Sequence, residues 1–180
     1  DSQIIMANKH GRAIRFHEST VREMGRTATG VRGMTLDETG DDEVIGMICI
    51  KDPEKETVMV VSEQGYGKRS EIEDYRITNR GGKGVKTLNI TEKTGNLVAI
   101  KSVTDENDLV IINKSGITLR MKVADVRIMG RATQGVRLIN LEKRNDEIAS
   151  VCKVLSETES DSSNSENIDS ASEINEAEAS

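Results

Sequence analysis

Aromatic residues are almost absent from this chain of 180 residues, which contains one Phe, two Tyr and no Trp. With so few rings, the chain offers no platform on which the bases of a single-stranded nucleic acid could stack. Its hydrophobic core must therefore be built mainly from Ile, Val, Leu and Met. Proline is equally scarce, and the one example, Pro53, lies in a link between strand-like segments, where no backbone donor is needed.

Other absences argue against several classes of function. Cys49 and Cys152 each lie in an apolar segment without a CxxC partner, so we predict buried, reduced thiols, which fit a reducing cytoplasm. No signal-like segment and no apolar run of 18 residues is present, which argues against secretion and membrane spanning. His10 and His17 are too few and wrongly spaced for a metal site. With no Ser/His/Asp or Cys/His set, we expect no catalytic residue and no metal ligand in this chain.

Charge divides the chain into two parts. The formal net charge is −6, yet residues 1–154 carry all 25 Lys and Arg against 23 Asp and Glu. Residues 155–180 hold eight acidic residues, eight serines and no base. This composition predicts a weakly basic folded body at 1–154 and a disordered acidic tail at 155–180.

A motif of the form Arg-x3-Arg-x3-Gly-Val-Arg/Lys occurs three times, at 22–32, 76–86 and 127–137. Its glycines are 54 and then 51 residues apart, and so are three glycines in polar turns between apolar runs. Such a period indicates a repeat architecture with one supersecondary unit per repeat. We expect six structural glycines: Gly30, Gly84 and Gly135 in the motif, and Gly11, Gly65 and Gly116 in the hairpin turns.

Each repeat is predicted to contain four short antiparallel strands: a hairpin, then a connector bearing the motif, then two further strands. The third strands are expected at 30–36, 84–90 and 135–141, and the fourth at 44–50, 97–103 and 148–154. The sequence thus predicts an all-β fold of propeller-like blades at about 1–52, 53–106 and 107–154. Three blades are too few to close a ring, so we expect an open partial ring. Because the chain starts at Asp1, just before a strand, we also expect it to be a piece of a longer protein.

The repeated cations are the candidate binding residues. Loops in which Gly adjoins Arg let backbone amides and a guanidinium reach one phosphate, and evenly spaced cations suit the backbone of duplex DNA. Alternatively, the arginines brace the connectors by donating to carbonyls of the next blade, an alternative that applies chiefly to the first Arg of each motif. Lys68 and Arg69 could instead be a solvated surface pair. The predicted DNA-binding residues are Arg22, Arg26, Arg32, Lys68, Arg69, Arg76, Arg80, Lys83, Lys86, Arg120, Lys122, Arg127, Arg131 and Arg137.

Further bases flank the predicted hairpin turns: Lys9, Arg12, Arg15 and Lys114. His10 lies in one of these basic turns and could also contact DNA. The segment 79–84, Asn-Arg-Gly-Gly-Lys-Gly, looks suited to phosphate, but it lacks the GxxxxGK[ST] spacing of a P-loop and does not open a helix. We therefore do not expect an ATP site there. No helix suited to a major groove is apparent, so binding to duplex DNA should tolerate many sequences.

Three segments carry a family resemblance: VREMGRTATGVRG at 21–33, SEQGYGKRSEIEDYRITNRGGKGV at 62–85 and INKSGITLRMKVADVRIMGRATQGVRLI at 112–139. They resemble the C-terminal domain of bacterial gyrase A, over residues 1–154 and with a similar acidic tail. The resemblance implies a β-pinwheel whose blades exchange strands and whose basic perimeter wraps double-stranded DNA. The three repeats look like the last blades of that domain.

The resemblance also implies a parent enzyme, an ATP-dependent type II topoisomerase that introduces negative supercoils. Its catalytic tyrosine, ATP and Mg²⁺ would lie in other domains or in gyrase B, so no cofactor is expected here. The expected partners are double-stranded DNA, the rest of gyrase A and gyrase B. The family's Gln-Arg-Arg-Gly-Gly-Lys-Gly-like box is only approximated, at 79–84 and without the leading glutamine, so we expect the true box in another blade and simple DNA binding, rather than wrapping, by this chain alone.

Alternatives remain open. The related A-type subunit of topoisomerase IV has similar blades. A propeller-type scaffold could use the same arginines to bind acidic proteins. The tail could compete with DNA for the basic residues, or it could serve only to keep the chain in solution.

Overall fold

The computed structural model describes residues 2–141 and 145–156, which form eleven β-strands and three short 3₁₀ helices. The strands are Gln3–Asn8 (β1), Arg12–His17 (β2), Val44–Ile50 (β3), Thr57–Ser62 (β4), Tyr66–Glu71 (β5), Val85–Lys86 (β6), Leu97–Val103 (β7), Asn107–Asn113 (β8), Thr118–Lys122 (β9), Val136–Arg137 (β10) and Ile148–Leu155 (β11). The 3₁₀ helices are Glu18–Thr20, Ile72–Asp74 and Val123–Asp125. None of the described helices is long and apolar enough to cross a membrane.

The strands form three antiparallel sheets, one per repeat, with the orders β3-β1-β2-β6, β7-β4-β5-β10 and β11-β8-β9. Successive sheets lie side by side, since β3 contacts β7 and β7 contacts β11. The all-β prediction and the blade-like repeat are therefore confirmed, as an open array without a closed barrel within the described residues. The fourth strands at 44–50 and 97–103 have the predicted bounds, whereas β11 runs one residue further, to Leu155. The predicted tail lies almost entirely outside the described residues.

The predicted third strands differ from expectation, because those at 84–90 and 135–141 belong to the sheet of the preceding repeat. Val85 pairs with Ala13 on β2, and Val136 pairs with Gly67 on β5. The exchanged strands are only two residues long, and residues 30–36 form no strand. Residues 30–36 differ because, in the described part of the chain, no earlier sheet exists for them to join. The strand exchange implied by the family resemblance is thus present between repeats one and two and between repeats two and three.

All six predicted structural glycines have positive φ angles: Gly11, Gly30, Gly65, Gly84, Gly116 and Gly135. At Gly84 the requirement is twofold. Its φ is +74°, and a Cβ built there would lie 2.3 Å from the carbonyl oxygen of Ala13. Glycine at this point therefore lets the exchanged strand approach the backbone of the preceding sheet.

The hydrophobic core lies between neighbouring sheets. One cluster joins Ile5 and Ile50 of the first sheet to Val58 and Val60 of the second. Met59 and Val61, on the opposite face of β4, join a second cluster shared with the third sheet. Strand β4 is accordingly buried along its whole length, as expected for a strand covered on both faces.

The predicted burial of the two cysteines is wrong, because both Cys49 and Cys152 are exposed. Cys49 lies between the buried residues Ile48 and Ile50 on β3. Side chains alternate between the two faces of a strand, so Cys49 points away from the core. The sequence showed a continuous apolar run at β3 and hid this alternation.

Candidate nucleic-acid interface

The cations of the repeated motif lie on three connectors, residues 21–35, 75–89 and 126–140, here called connectors 1, 2 and 3. The first Arg of each motif (Arg22, Arg76 and Arg127) is exposed. None of these three side chains makes a hydrogen bond or an ion pair with another residue in the described part of the chain. These are the residues to which the bracing alternative chiefly applied, so that alternative does not fit their positions.

The second Arg of the motif does the bracing instead. Arg80 donates from Nε to the carbonyl of Thr20 (3.0 Å) and from Nη1 to that of Arg32 (3.1 Å). Arg131 repeats the arrangement one blade later, with the carbonyls of Asp74 (2.9 Å) and Lys86 (2.8 Å). Both guanidinium groups remain partly exposed. Arg26, the equivalent in connector 1, is exposed.

The cation that ends each motif (Arg32, Lys86 or Arg137) is exposed as well. Arg137 lies over the ring of Tyr66, with 5.5 Å from its guanidinium carbon to the ring centroid, and donates from Nη2 to the phenol oxygen at 3.0 Å. Lys93 lies 5.6 Å from the same centroid. The hydrogen bond from Arg137 lowers the pKa of Tyr66. Sequence reasoning missed Lys93, which lies outside the repeated motif.

Lys68 and Arg69 are buried, with 0% and 4% of their surface exposed, and are therefore neither a solvated pair nor accessible phosphate contacts. Lys68 donates from Nζ to the carbonyls of Gly130 (2.8 Å) and Arg131 in connector 3. Burial lowers the pKa of Lys68 to about 8. Strand β5 is buried from Tyr66 to Ser70, so side chains on both of its faces are shielded from solvent.

Arg69 donates to the Thr57 hydroxyl, to Asp105 (2.7 Å) and to the Val123 carbonyl (3.3 Å). Arg15, at the same place one blade earlier, donates to the carbonyls of Ile72 (2.9 Å) and Tyr75 (2.8 Å). Each of these buried arginines thus ties one blade to the 3₁₀ helix of the next.

The remaining predicted cations divide in the same way. Lys83 and Lys122 are exposed. Arg120 is exposed but donates from Nε to Asp108 at 2.8 Å, so part of its charge is neutralised locally. Among the other hairpin bases, Arg12 donates to the Gly84 carbonyl at 3.3 Å, and Lys114 forms an ion pair with Glu147.

The connectors are hydrogen-bonded to one another in sequence. The Gly81 amide donates to the Gly33 carbonyl at 2.6 Å, and the Thr35 amide donates to the Gly82 carbonyl at 2.9 Å, which joins connectors 1 and 2. The Asn89 amide donates to the Thr133 carbonyl at 3.1 Å, which joins connectors 2 and 3. The exposed cations therefore lie on consecutive, mutually supported segments.

A cleft of about 390 Å³ lies between β2 and connector 2. Its lining includes Arg76, Asn79 and Lys83 together with the backbone of Gly82 and Gly84. The glycine-rich segment 79–84 thus forms one wall of a basic cleft at the junction of two blades. Two cations and an amide side chain around such a cleft are suited to an anionic oxygen.

His10 lies among carboxylates rather than in a wholly basic turn. Its Nδ1 is 3.1 Å from Asp37 and 4.0 Å from Asp42, and its Nε2 is 3.4 Å from Asp41. The hydrogen bond to Asp37 raises the pKa of His10. His10, Asp37 and Asp42 are close enough to hold a metal ion, but in this structure they hydrogen-bond to one another and to neighbouring backbone.

Comparison with known proteins identifies the family to which this architecture belongs. A family model described as "DNA gyrase C-terminal domain, beta-propeller" matches residues 2–51, 56–104 and 107–152. The chain belongs to this family. Among curated proteins, the gyrase A protein of Staphylococcus aureus (strain NCTC 8325 / PS 47) is 47% identical over 163 residues, which are 91% of this chain and 18% of that protein. The same protein from strain MRSA252 is 52% identical over 138 residues, or 77% of this chain and 15% of that protein.

Solved structures agree with the gyrase A assignment. A gyrase A C-terminal domain superposes with a TM-score of 0.77 at 29% identity, covering 86% of this chain and 51% of that one. A topoisomerase IV C-terminal domain superposes with a TM-score of 0.79 at 23% identity, covering 86% of this chain and 47% of that one, which supports the fold alone. The present gyrase-family chain spans less than a fifth of the length of its curated relatives.

Proposed function

We propose that this chain binds duplex DNA along connectors 1 to 3, as the DNA-bending part of gyrase A. The observation that carries the proposal is the position of Arg22, Arg76 and Arg127. They are exposed, they repeat once per blade, and they lie on segments that hydrogen-bond to one another. A regular series of accessible cations matches the regular phosphates of a duplex.

Binding of this kind should tolerate many sequences. Phosphate contacts fix a protein on the duplex without identifying its bases, and no described helix could enter a major groove. Wrapping would add the cost of deforming the duplex, on the order of 1–6 kcal/mol for a site of 20–30 base pairs. Several contacts per blade would have to offset it, so flexible DNA should be preferred.

The activity of the longer protein is also part of the proposal. Gyrase A would act with gyrase B in an ATP-dependent type II topoisomerase that introduces negative supercoils, in the cytoplasm. The catalytic tyrosine, ATP and Mg²⁺ would then belong to other parts of that assembly. The role of the present chain would be to hold and bend the DNA segment presented to them.

The test is a triple variant, Arg22→Ala/Arg76→Ala/Arg127→Ala. Duplex affinity is measured between 50 and 200 mM salt, conditions over which phosphate contacts produce a linear fall in log K. Each lost phosphate contact should reduce the steepness of log K against log[salt] by about 0.9. The slope of the triple variant should therefore be shallower than that of the unmodified chain by roughly 2 to 3. Its circular dichroism and melting temperature should stay unchanged, because these side chains brace nothing in the described residues.

The matched control is Lys51→Ala/Lys55→Ala/Lys153→Ala, which removes three exposed cations outside the connectors. If this control flattens the salt dependence equally, net charge rather than the connectors governs binding. If the unmodified folded chain binds no duplex even at low salt, the alternative of an arginine-lined protein-interaction scaffold is favoured instead.

A further inference from the structure

Two isoleucines are exposed on the connectors beside the cations. Ile77 and Ile128 occupy the same position in repeats two and three, and 45% and 46% of their surface is exposed. Both are held firmly by the blade behind them. Each forms an isolated parallel β-bridge with a buried arginine, Ile77 with Arg15 and Ile128 with Arg69.

The following residue strengthens each anchor. The Thr78 amide donates to the Arg15 carbonyl at 2.8 Å, and the Met129 amide donates to the Arg69 carbonyl at 2.8 Å. Because the arginine side chains are themselves fixed by the carbonyls of the next 3₁₀ helix, the backbone beneath both isoleucines has little freedom. The two apolar side chains are therefore presented rigidly and repeatedly rather than on a loose loop.

Their immediate neighbours are the exposed cations of the proposed DNA-binding surface. Arg76 precedes Ile77 and Arg127 precedes Ile128, and neither guanidinium has a partner in the described part of the chain. The basic cleft is lined by Arg76 and Thr78, the residues on either side of Ile77 in the chain, although Ile77 itself does not line it. In repeat one the equivalent position is occupied by Glu23, which is exposed and acidic.

A rigid aliphatic side chain flanked by phosphate-binding cations is an arrangement used in the minor groove, where apolar wedges partly unstack base steps and kink the duplex. We propose that Ile77 and Ile128 contact the minor groove of the bound duplex and favour bending there. This inference rests on the proposed function and deepens it. It assigns the contact to blades two and three only, because a carboxylate at Glu23 would be repelled by the phosphates.

Apolar wedges at Ile77 and Ile128 imply a preference for particular base steps in the bound DNA. Pyrimidine–purine steps such as TA and CA unstack most easily. A wedge at two successive blades should therefore favour duplexes that carry such steps wherever the minor groove faces the protein. Cations alone would show no such dependence on the step that the isoleucine meets, beyond the general flexibility of the DNA.

The experiment compares Ile77→Ala/Ile128→Ala with the unmodified chain on two duplexes of equal length, one with phased TA steps and one without. The affinity for the phased duplex should fall about tenfold, the preference between the duplexes should largely disappear, and bending measured by end-to-end energy transfer should decrease. The slope of log K against log[salt] should not change, because no cation is removed.

Ile117→Ala is the matched control, since Ile117 is 40% exposed but belongs to the β8–β9 turn rather than to a connector. It should leave affinity and preference unchanged. Retention of the TA preference by a folded Ile77→Ala/Ile128→Ala variant, or its equal loss in Ile117→Ala, overturns the wedge while leaving phosphate binding intact. Absence of duplex binding by the unmodified chain would instead overturn the proposed function.

Discussion

At the scale of single residues, the chain uses arginine for two different purposes within one motif. Arg76 is exposed and is proposed to bind DNA, whereas Arg80, four residues later, reaches back to carbonyls of the preceding blade. The sequence predicted DNA binding for both residues, with bracing as an alternative chiefly for the first Arg of each motif, whereas the bracing contacts lie at the second. The sequence gives no sign of which guanidinium reaches a carbonyl, because the two acceptors of Arg80 lie 60 and 48 residues away in the chain.

This difference predicts separate effects for two single variants. Arg80→Ala should lower the free energy of unfolding by about 1 kcal/mol, because it removes two hydrogen bonds from a charged donor at a partly exposed site. Arg76→Ala should change stability by less than about 0.5 kcal/mol while weakening duplex binding. Urea denaturation and DNA titration of both variants provide the check, and an equally destabilised Arg76→Ala would contradict the division of roles.

Lys68 predicts a dependence of stability on pH. Its pKa is about 8 in the folded chain against 10.5 for an ordinary lysine, so the unfolded chain holds more protons between these values. The stability contribution of this residue should therefore rise as pH increases from 8 to 10.5, and should be least favourable below pH 8.

The variant Lys68→Met removes this titrating group. The difference between its free energy of unfolding and that of the unmodified chain should therefore change between pH 8 and pH 10.5. Denaturation at pH 7.5 and pH 10 measures it. Lys83→Met, which removes an exposed lysine, should show no comparable change with pH. A flat difference for Lys68→Met would mean that the Lys68 ammonium is as well solvated as an exposed one.

At the scale of elements, the local pattern of apolar and turn residues predicted where strands lie. It did not predict which strands pair across different repeats. The strands at 44–50 and 97–103 were predicted with their observed bounds, because each is an apolar segment preceded by a polar turn that contains glycine. The exchange of β6 and β10 was not derivable from the sequence pattern, since a strand of two residues carries almost no periodicity and its partner lies in another repeat. The exposure of Cys49 was missed because β3 is apolar on both faces.

A comparison of alanine variants at Gly84 and Gly30 separates the contribution of the exchanged strand β6 to stability from the cost of backbone strain. Both have positive φ, but a Cβ at Gly30 would meet nothing within 4 Å, whereas one at Gly84 would meet the Ala13 carbonyl. Gly30→Ala should cost about 1 kcal/mol of stability from backbone strain alone. Gly84→Ala should cost roughly 2 kcal/mol more, because β6 must move away from β2.

Chemical denaturation of the two glycine variants measures this difference, and amide hydrogen exchange at Ala13 locates it. Faster exchange in Gly84→Ala but not in Gly30→Ala is expected. Equal stabilities would show that the close approach at Gly84 contributes little to holding neighbouring blades together.

At the scale of the whole molecule, charge is separated along the chain. Residues 1–156 carry 25 basic and 23 acidic residues, and the eight acidic residues that follow reverse the sign of the net charge. On the proposed DNA surface, those acidic residues would compete with phosphate for the same cations. Duplex DNA should therefore be bound more tightly after removal of residues 157–180.

The effect should be largest at low salt and should shrink as the ionic strength approaches physiological values, since exposed charges are then screened beyond about 8 Å. A variant in which the eight acidic residues are replaced by Asn and Gln separates charge from length. It should bind as tightly as the truncated chain. If the truncated chain binds DNA no more tightly than the full one at low salt, the tail does not compete for the connectors and serves another purpose.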